Sequence, residues 1–416
     1  MNDESGKKLV IIGASHAGSQ LAFSARQLGW TGPIELIGDE DVAPYHRPPL
    51  SKDYLTGGKA LENILLKPVA SYAKSDITLR IGLQVNQIDR SAKRCTLSNG
   101  KTVGYDKLAL AVGAKVRKVP IKGSDKAGVF YLRTIADIDG IRDHTGEGQS
   151  AVIIGGGYIG LETAASLRKL GMRVTVLEMM PKILQRVIVA QPMTDFFMRV
   201  HQEEGVAIVT NAQVEEIGGD KRAETVVCAN GQTFAADLVI IGAGILPNTE
   251  LAEEAGIKVD NGIVVDEFCR TNDADIVAVG DCTFNRNLFY PKPMRMESVQ
   301  NAVDQAKTAA ATLCEQAKPY NCVVWFWSDQ YDVKLQIVGL YEGFTSMVIR
   351  GNPAQGRKFS IFYLRNKTLI AVDAINSPDA FVFGRKHVGA PMNFELERLG
   401  DESTPLKELT AQAKVG

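Results

Sequence analysis

SAVIIGGGYIGLETAASLRKLGMRVTVLE, residues 150–178, decides the fold of this chain. An apolar run at 151–154 ends in Gly155-Gly156-Gly157-Tyr158-Ile159-Gly160, a complete G-x-G-x-x-G. A helical pattern follows, and a second apolar run closes on Glu178. Strand, glycine turn, helix and strand make a βαβ unit, which implies a parallel sheet. Gly155 permits the tight turn, Gly157 lets backbone approach a pyrophosphate, and Gly160 lets helix and strand pack closely. The helix N-terminus adds N–H groups and partial positive charge. Glu178 stands 23 residues after Gly155. A carboxylate there accepts hydrogen bonds from a ribose diol and repels a 2′-phosphate, which predicts NADH over NADPH. Met179 and Met180 offer no arginine for such a phosphate, although Lys182 and Arg186 follow closely. The competing reading is a structural glycine turn beside a surface glutamate.

The same grammar occurs earlier. KLVIIG is an apolar strand, GASHAG (13–18) a turn, and Leu21, Ala25 and Leu28 fall on one face of a helical run before the strand PIELIGD. This turn has two readings. As a dinucleotide turn it places Gly13, Ser15 and Gly18 at the glycine positions, with Ser15 small enough to point away from a pyrophosphate or to bond it. As a hydrolase nucleophile elbow, G-x-S-x-G, it has lost its last glycine. An elbow also needs a later acid and histidine. Of the five histidines, none downstream sits in a recognisable catalytic setting. Gly38 occupies the position matching Glu178. The acid moves to Asp39, the first ribose candidate, with Glu40 beside it.

Around these units the chain is ordinary. Its 416 residues suit two or three domains, with 45% apolar and 23% charged residues and a net charge of -1. No global field draws it to nucleic acid or membrane, so a charged partner must meet a local patch. The polar leader MNDESGKK is a poor signal peptide, and no run approaches the roughly 20 apolar residues of a membrane span. Six scattered cysteines, with no C-x-x-C, C-x4-C or zinc-ligand spacing, suit a reducing compartment, and no metal site is expected. A cytoplasmic protein is the expectation. Three more apolar strands end in glycine, at 106–114, 236–244 and 274–281. Beyond Val323 the sequence turns β-rich, with helical patterns over 378–415. The expected architecture is α/β: two Rossmann-like, parallel-sheet nucleotide-binding domains and a C-terminal α+β domain.

Further motifs carry a family resemblance. YHRPPLSKDYL (45–55), GAGILPN (242–248), VGDC (279–282), MESVQNA (296–302), WFWSDQYDVKLQIVGL (325–340) and GDESTPLKEL (400–409) join the two glycine turns. Together they resemble the FAD-dependent, NADH-using ferredoxin reductases of bacterial oxygenase systems. The resemblance covers nearly the whole chain and implies a flavoprotein fold of the glutathione-reductase type. The FAD-binding domain would span 1–112 and 246–322, the NADH-binding domain 113–245, and the C-terminal domain 323–416. By the family's motifs the FAD contacts fall on Ala17, Asp39, Lys52, Val85, Arg133, Asp281 and Val299. The NADH contacts fall on Gly157, Ile159, Glu178, Arg186 and Gly244. Glu162 and Glu297 match carboxylates beside the nicotinamide amide. Lys52, in a loop stiffened by paired prolines, would stabilise negative charge at the flavin edge. Asp281, at a strand end before a helix, would bind ribityl hydroxyls, and Trp327 would sit where a partner docks. Two positions depart from the pattern: Ser15 replaces a glycine, and Val112 a threonine.

Residues 41–60 contain no cysteine. The internal dithiol of disulfide-reducing relatives is therefore missing, and electrons must leave to an external acceptor. The expected acceptor is a small acidic two-iron two-sulfur ferredoxin that serves an oxygenase. Its basic docking candidates are Arg286, Lys292, Arg295, Lys307, Arg385 and Lys386. A rubredoxin reductase, or a redox-sensing flavoprotein like apoptosis-inducing factor, stands as the alternative.

Overall fold

The computed structural model describes residues 6–413; most of the polar leader and the last three residues lie outside them. The chain forms two compact units. One comprises Met1–Arg47, Ala60–Lys115 and Ile245–Cys322; the other comprises Pro48–Lys59, Val116–Gly244 and Val323–Gly416.

The first unit is built on a five-stranded parallel sheet. Its order is Ile276–Ala278, Lys107–Leu110, Leu9–Ile12, Ile34–Ile37, Ile77–Arg80. Every residue of Leu9–Ile12 is buried, as expected of a strand covered on both faces. Leu9 and Ile11 face the helices His16–Gln27 and Val299–Leu313, where Ala22, Ala25, Ala306 and Ala309 let the two helices approach closely. Val10 and Ile12 face the other way, onto Ile88 and Leu97 of a three-stranded antiparallel sheet. Each such side chain contributes about 1.5–3 kcal/mol by leaving water. The strand order reverses between Leu9–Ile12 and Lys107–Leu110, so the carboxyl ends of those strands open the crevice where such sheets bind ligands. Gly13 ends the first of them.

The second unit repeats this plan. Its parallel sheet runs Ala207–Val209, Arg173–Leu177, Ser150–Ile154, Leu238–Ile241, Val129–Tyr131. The reversal falls between Ser150–Ile154 and Leu238–Ile241, beside Gly155. The same unit carries the β-rich C-terminal region, a five-stranded antiparallel sheet in the order Trp325–Gln330, Val333–Gly339, Thr368–Ile375, Phe359–Arg365, Ser346–Gly351.

The fold expected from sequence, two parallel-sheet units and a C-terminal α+β region, is the fold observed. The helical patterns expected over 378–415 are, among the described residues, three separate helices. Helix Pro378–His387 stops before Gly389, whose φ is +93°, and Pro391; helix returns at Glu397–Gly400 and Leu406–Ala413. One local expectation is corrected: Asp281 does not precede a helix. It lies in a turn entering the short strand Thr283–Asn285, and the next helix begins at Val299, capped by Ser298.

Candidate cofactor and active site

The second glycine turn joins strand Ser150–Ile154 to helix Tyr158–Lys169. Gly155 has φ +117°, and a Cβ there would lie 2.4 Å from the Gly242 carbonyl oxygen, so a side chain is excluded. Gly157 differs in kind. A Cβ built on it meets nothing within 4 Å. It is the N-cap of the helix, which has no side-chain cap and no acid in its first turn. The leading N–H groups and the positive end of a 12-residue helix are thus left for an anion. Glu178 stands at the rim. Its Oε2 accepts from the Gly156 N–H and its Oε1 from the Met180 N–H, each at 2.7 Å. These bonds fix the carboxylate, and each oxygen keeps a lone pair for a ribose hydroxyl. Gly244, φ +93°, likewise has open space where a side chain would project, and Ile159 and Arg186 are exposed. This cradle fits a dinucleotide.

The first turn is built alike with its parts exchanged. Gly13 cannot carry a Cβ, which would sit 2.1 Å from the Ala111 carbonyl oxygen. Where the second turn has Gly156 and Glu178, the first has Ala14 and Gly38. A Cβ on Gly38 would lie 2.5 Å from that of Ala14, so the alanine occupies the room that a Glu178-like side chain would need. The acid accordingly moves on to Asp39, which is exposed. Glu40, the second candidate, is committed elsewhere: it accepts from Tyr45 at 2.5 Å and from Arg47 at 2.7 Å. Ser15 is the N-cap of helix His16–Gln27, yet its hydroxyl does not cap it. The hydroxyl instead accepts from Arg47 Nε at 3.3 Å. A nucleophilic serine needs a base at its hydroxyl; Ser15 has a guanidinium, which cannot take a proton. Burial pulls the Arg47 guanidinium down, but Tyr45, Glu40 and Asp281 more than offset this and hold it above its ordinary value. A permanent cation beside an uncapped helix N-terminus fits a pyrophosphate and does not fit a hydrolase.

The remaining candidates in the first unit are placed as follows. Ala17 is buried in the first turn of its helix and adjoins Gly280, next to Asp281. Val299 is the first residue of its helix. Val85 points into the apolar core, which leaves its backbone as the group it can present. Val112 offers no hydroxyl, and its carbonyl accepts from Asn248 of the GAGILPN segment at 2.7 Å. Glu297 is exposed and ion-paired with Arg295.

In the second unit a buried ionic cluster forms around Glu162. Tyr158, Glu162 and Ser166 lie on one face of their helix. Phe326, Ser328 and Gln330 lie on one face of strand Trp325–Gln330. The two periodicities bring Tyr158 against Phe326, ring centroids 4.7 Å apart, and Ser328 against Glu162. Glu162 Oε2 accepts from Ser51 Oγ and Lys52 Nζ, and its Oε1 from Ser328 Oγ, all at 2.6 Å. The Ser51 carbonyl accepts from Ser166 at 2.7 Å, which fastens the proline loop to the helix. The structure thus joins Lys52 to Glu162, two residues that sequence reasoning nominated separately. It adds Ser51 and Ser328, which that reasoning missed; the only available signal was the two-residue alternation of WFWSDQ. Trp327 is half-buried beside Trp325, and Arg385 lies 5.4 Å over the Trp325 ring. Arg133 precedes helix Ile135–Arg142, its N–H donating to Asp137. Among the basic candidates Lys307 pairs with Asp304, whereas Arg286, Lys292, Arg385 and Lys386 are exposed.

Comparison with known proteins accords with this architecture. The chain matches the family described as pyridine nucleotide-disulphide oxidoreductase over residues 7–306 and that described as reductase C-terminal over residues 325–410. It is 43% identical to putidaredoxin reductase of Pseudomonas putida over 98% of this chain and 97% of that one. It is 38% identical to a rubredoxin-NAD(+) reductase of Pseudomonas putida over 89% and 96%. The crystal structure of a covalent putidaredoxin reductase–putidaredoxin complex contains a chain that superposes with a TM-score of 0.95, at 41% identity, covering 99% of this chain and all of that one. The chain belongs to the pyridine nucleotide-disulphide oxidoreductase family and is an FAD-dependent oxidoreductase that uses NAD(H).

Proposed function

We propose that this protein is an NADH-dependent ferredoxin reductase that passes electrons one at a time to a two-iron two-sulfur ferredoxin serving an oxygenase. The observation that carries this reading is two dinucleotide cradles in a chain whose six cysteines form no disulfide. Burial pushes the Cys95 and Cys282 thiols up to about 12, so neither supplies a thiolate near neutrality. With no internal dithiol, the acceptor is a separate molecule.

FAD supplies the junction between two-electron and one-electron chemistry. We assign it to residues 1–112 and 246–322, with Ser15 and Arg47 toward the pyrophosphate, Asp39 toward a ribose and Asp281 toward the ribityl chain. NADH is assigned to residues 113–245, with Gly157 on its pyrophosphate and Glu178 on its ribose. Glu162 holds the nicotinamide amide, and its charge is held in place by Ser51, Lys52 and Ser328. Lys52 balances negative charge that accumulates on reduction. The ferredoxin is acidic and docks through Arg286, Arg385 and their basic neighbours; Arg295 and Lys307 first have to give up Glu297 and Asp304. The protein works in the cytoplasm.

The test is to isolate the protein, record flavin absorbance, mix it anaerobically with NADH and follow reduction of a panel of ferredoxins and rubredoxins. Yellow protein, fast bleaching and turnover on ferredoxin are expected. A colourless protein refutes the FAD assignment. Preferential turnover on rubredoxin favours the second reading, which the 38% identity to a rubredoxin-NAD(+) reductase supports. Bleaching without turnover on any partner favours a redox sensor.

A further inference from the structure

Behind Glu162 a line of buried polar side chains leads away from the assigned nicotinamide site. Glu162 Oε1 accepts from Ser328 Oγ at 2.6 Å. Ser328 Oγ accepts from Gln330 Nε2 at 3.1 Å. Gln330 Oε1 lies 2.8 Å from His201 Nε2, and His201 Nδ1 lies 3.0 Å from the Tyr331 hydroxyl. Ser328, Gln330 and His201 are each at most 1% exposed. His201 comes from helix Gln191–Glu203, and the others from the hairpin Trp325–Gln330, Val333–Gly339.

The direction of every bond follows from the first. A carboxylate only accepts, so the Ser328 proton points at Glu162. Ser328 must then accept from an N–H, which sets the Gln330 amide with its oxygen toward His201. His201 must donate from Nε2, which leaves Nδ1 bare to accept from Tyr331. The chain is thus polarised along its whole length toward Glu162, and it requires a neutral imidazole in one tautomer. Burial accords with the neutral form. Burial pushes His201 down to about 4, against Gln330 and Glu204, which pull it up. Burial also pushes the Tyr331 phenol up, so it remains a donor. Tyr331 itself sits at φ +56° in the two-residue turn of the hairpin, a conformation that disfavours a bulky side chain. Its hydroxyl on His201 gives that backbone a purpose.

We propose that Ser328, Gln330 and His201 are positioning residues, a one-way hydrogen-bonded chain that orients Glu162 and keeps its charge available to the nicotinamide. This rests on the assignment of Glu162 to that site, and the test separates the two. In protein labelled with ¹⁵N-histidine, the His201 resonances, identified by their loss in His201→Gln, should report a neutral Nε2–H tautomer unchanged from pH 5.5 to 8. A proton on Nδ1, or titration in that range, overturns the proposal whatever the enzyme reduces. In anaerobic stopped flow, Ser328→Ala should slow flavin reduction by NADH about tenfold at saturation, the effect of losing one hydrogen bond to a charged group, and His201→Leu, which removes a neutral bond farther along the chain, should slow it about threefold. The apparent Kd for NADH should stay within about threefold. His201→Gln, whose amide nitrogen can donate to Gln330 as Nε2 does, should recover most of the rate. Wild-type rates in Ser328→Ala overturn the proposal. A wild-type protein whose flavin NADH does not reduce overturns the functional assignment, and the tautomer still decides the chain.

Discussion

The Lys52–Glu162 pair can be tested by a double-mutant cycle of Lys52→Met and Glu162→Gln. At 2.6 Å and an effective dielectric constant of about 20, the gross attraction between the charges is about 6 kcal/mol. Removing both ions from water costs several kcal/mol apiece, so the pair adds little net stability. Breaking it is another matter. The Glu162 side chain is 3% exposed and Lys52 17%. Lys52→Met strands a buried carboxylate, which costs about 3–5 kcal/mol in comparable cases; the Ser51 and Ser328 donors keep this one near about 3. Glu162→Gln leaves an ammonium with a partial path to water and places an amide N–H against a hydroxyl donor, for about 1–2 kcal/mol. The double variant removes both charges and should cost about 2 kcal/mol, giving a coupling of about 2–3 kcal/mol. The assay is urea unfolding followed by tryptophan emission, since Trp325 and Trp327 lie in the same unit as the pair. Single-variant costs that add to within about 0.5 kcal/mol would refute a buried ion pair.

Three further outcomes follow from the geometry. Glu178→Arg should shift the kcat/KM ratio from NADH toward NADPH by at least about tenfold, because it replaces a ribose acceptor with a cation; an unchanged ratio removes Glu178 from the ribose site. Burial pushes the Asp373 carboxyl up to about 6, although Tyr363 and Tyr341 donate to it. The folded chain therefore keeps this proton over a range where the unfolded chain, near 3.9, has lost it. The stability Asp373 contributes is full below about pH 4 and is lost as pH rises through 6; relative to Asp373→Asn, wild type should lose about 3 kcal/mol over that interval, and parallel urea midpoints would contradict this. Ferredoxin reduction should slow several-fold between about 0.05 and 0.5 M salt, while reduction of a small neutral quinone should not; equal responses argue against a charged docking face.

How much of this was legible in the sequence depends on the distance over which a constraint acts. Both parallel sheets were readable because a buried strand, its glycine and its helix lie within a single stretch of about 30 residues. The exchange of Gly156 and Glu178 for Ala14 and Gly38 was half readable. Sequence revealed the displaced acid, but only the 2.5 Å approach of position 38 to the Ala14 methyl supplies the reason for it. Asp281 was misplaced because its strand ends in glycine like those of the dinucleotide turns, so a helix was expected where a turn and a three-residue strand follow.

The Glu162 cluster is the case in which the local signal, the alternation of WFWSDQ, does not say what the residues meet. Its donors stand 111, 110 and 166 residues away, at Ser51, Lys52 and Ser328. Taken alone, Ser328 is a small polar residue inside an aromatic strand, and Gln330 and His201 read as polar residues near element ends. Their chemistry arises from register. The strand places residues 326, 328 and 330 on one face, and the helix places 158, 162 and 166 on the face that meets it. A one-residue slip of the strand would turn Ser328 and Gln330 away and present Trp325 and Trp327 to a buried carboxylate. The polar chain therefore gives the C-terminal sheet a reason to dock in one register only, and the register in turn determines the atoms that surround Glu162. Fold specificity and the placement of the Glu162 carboxylate are consequences of the same bonds.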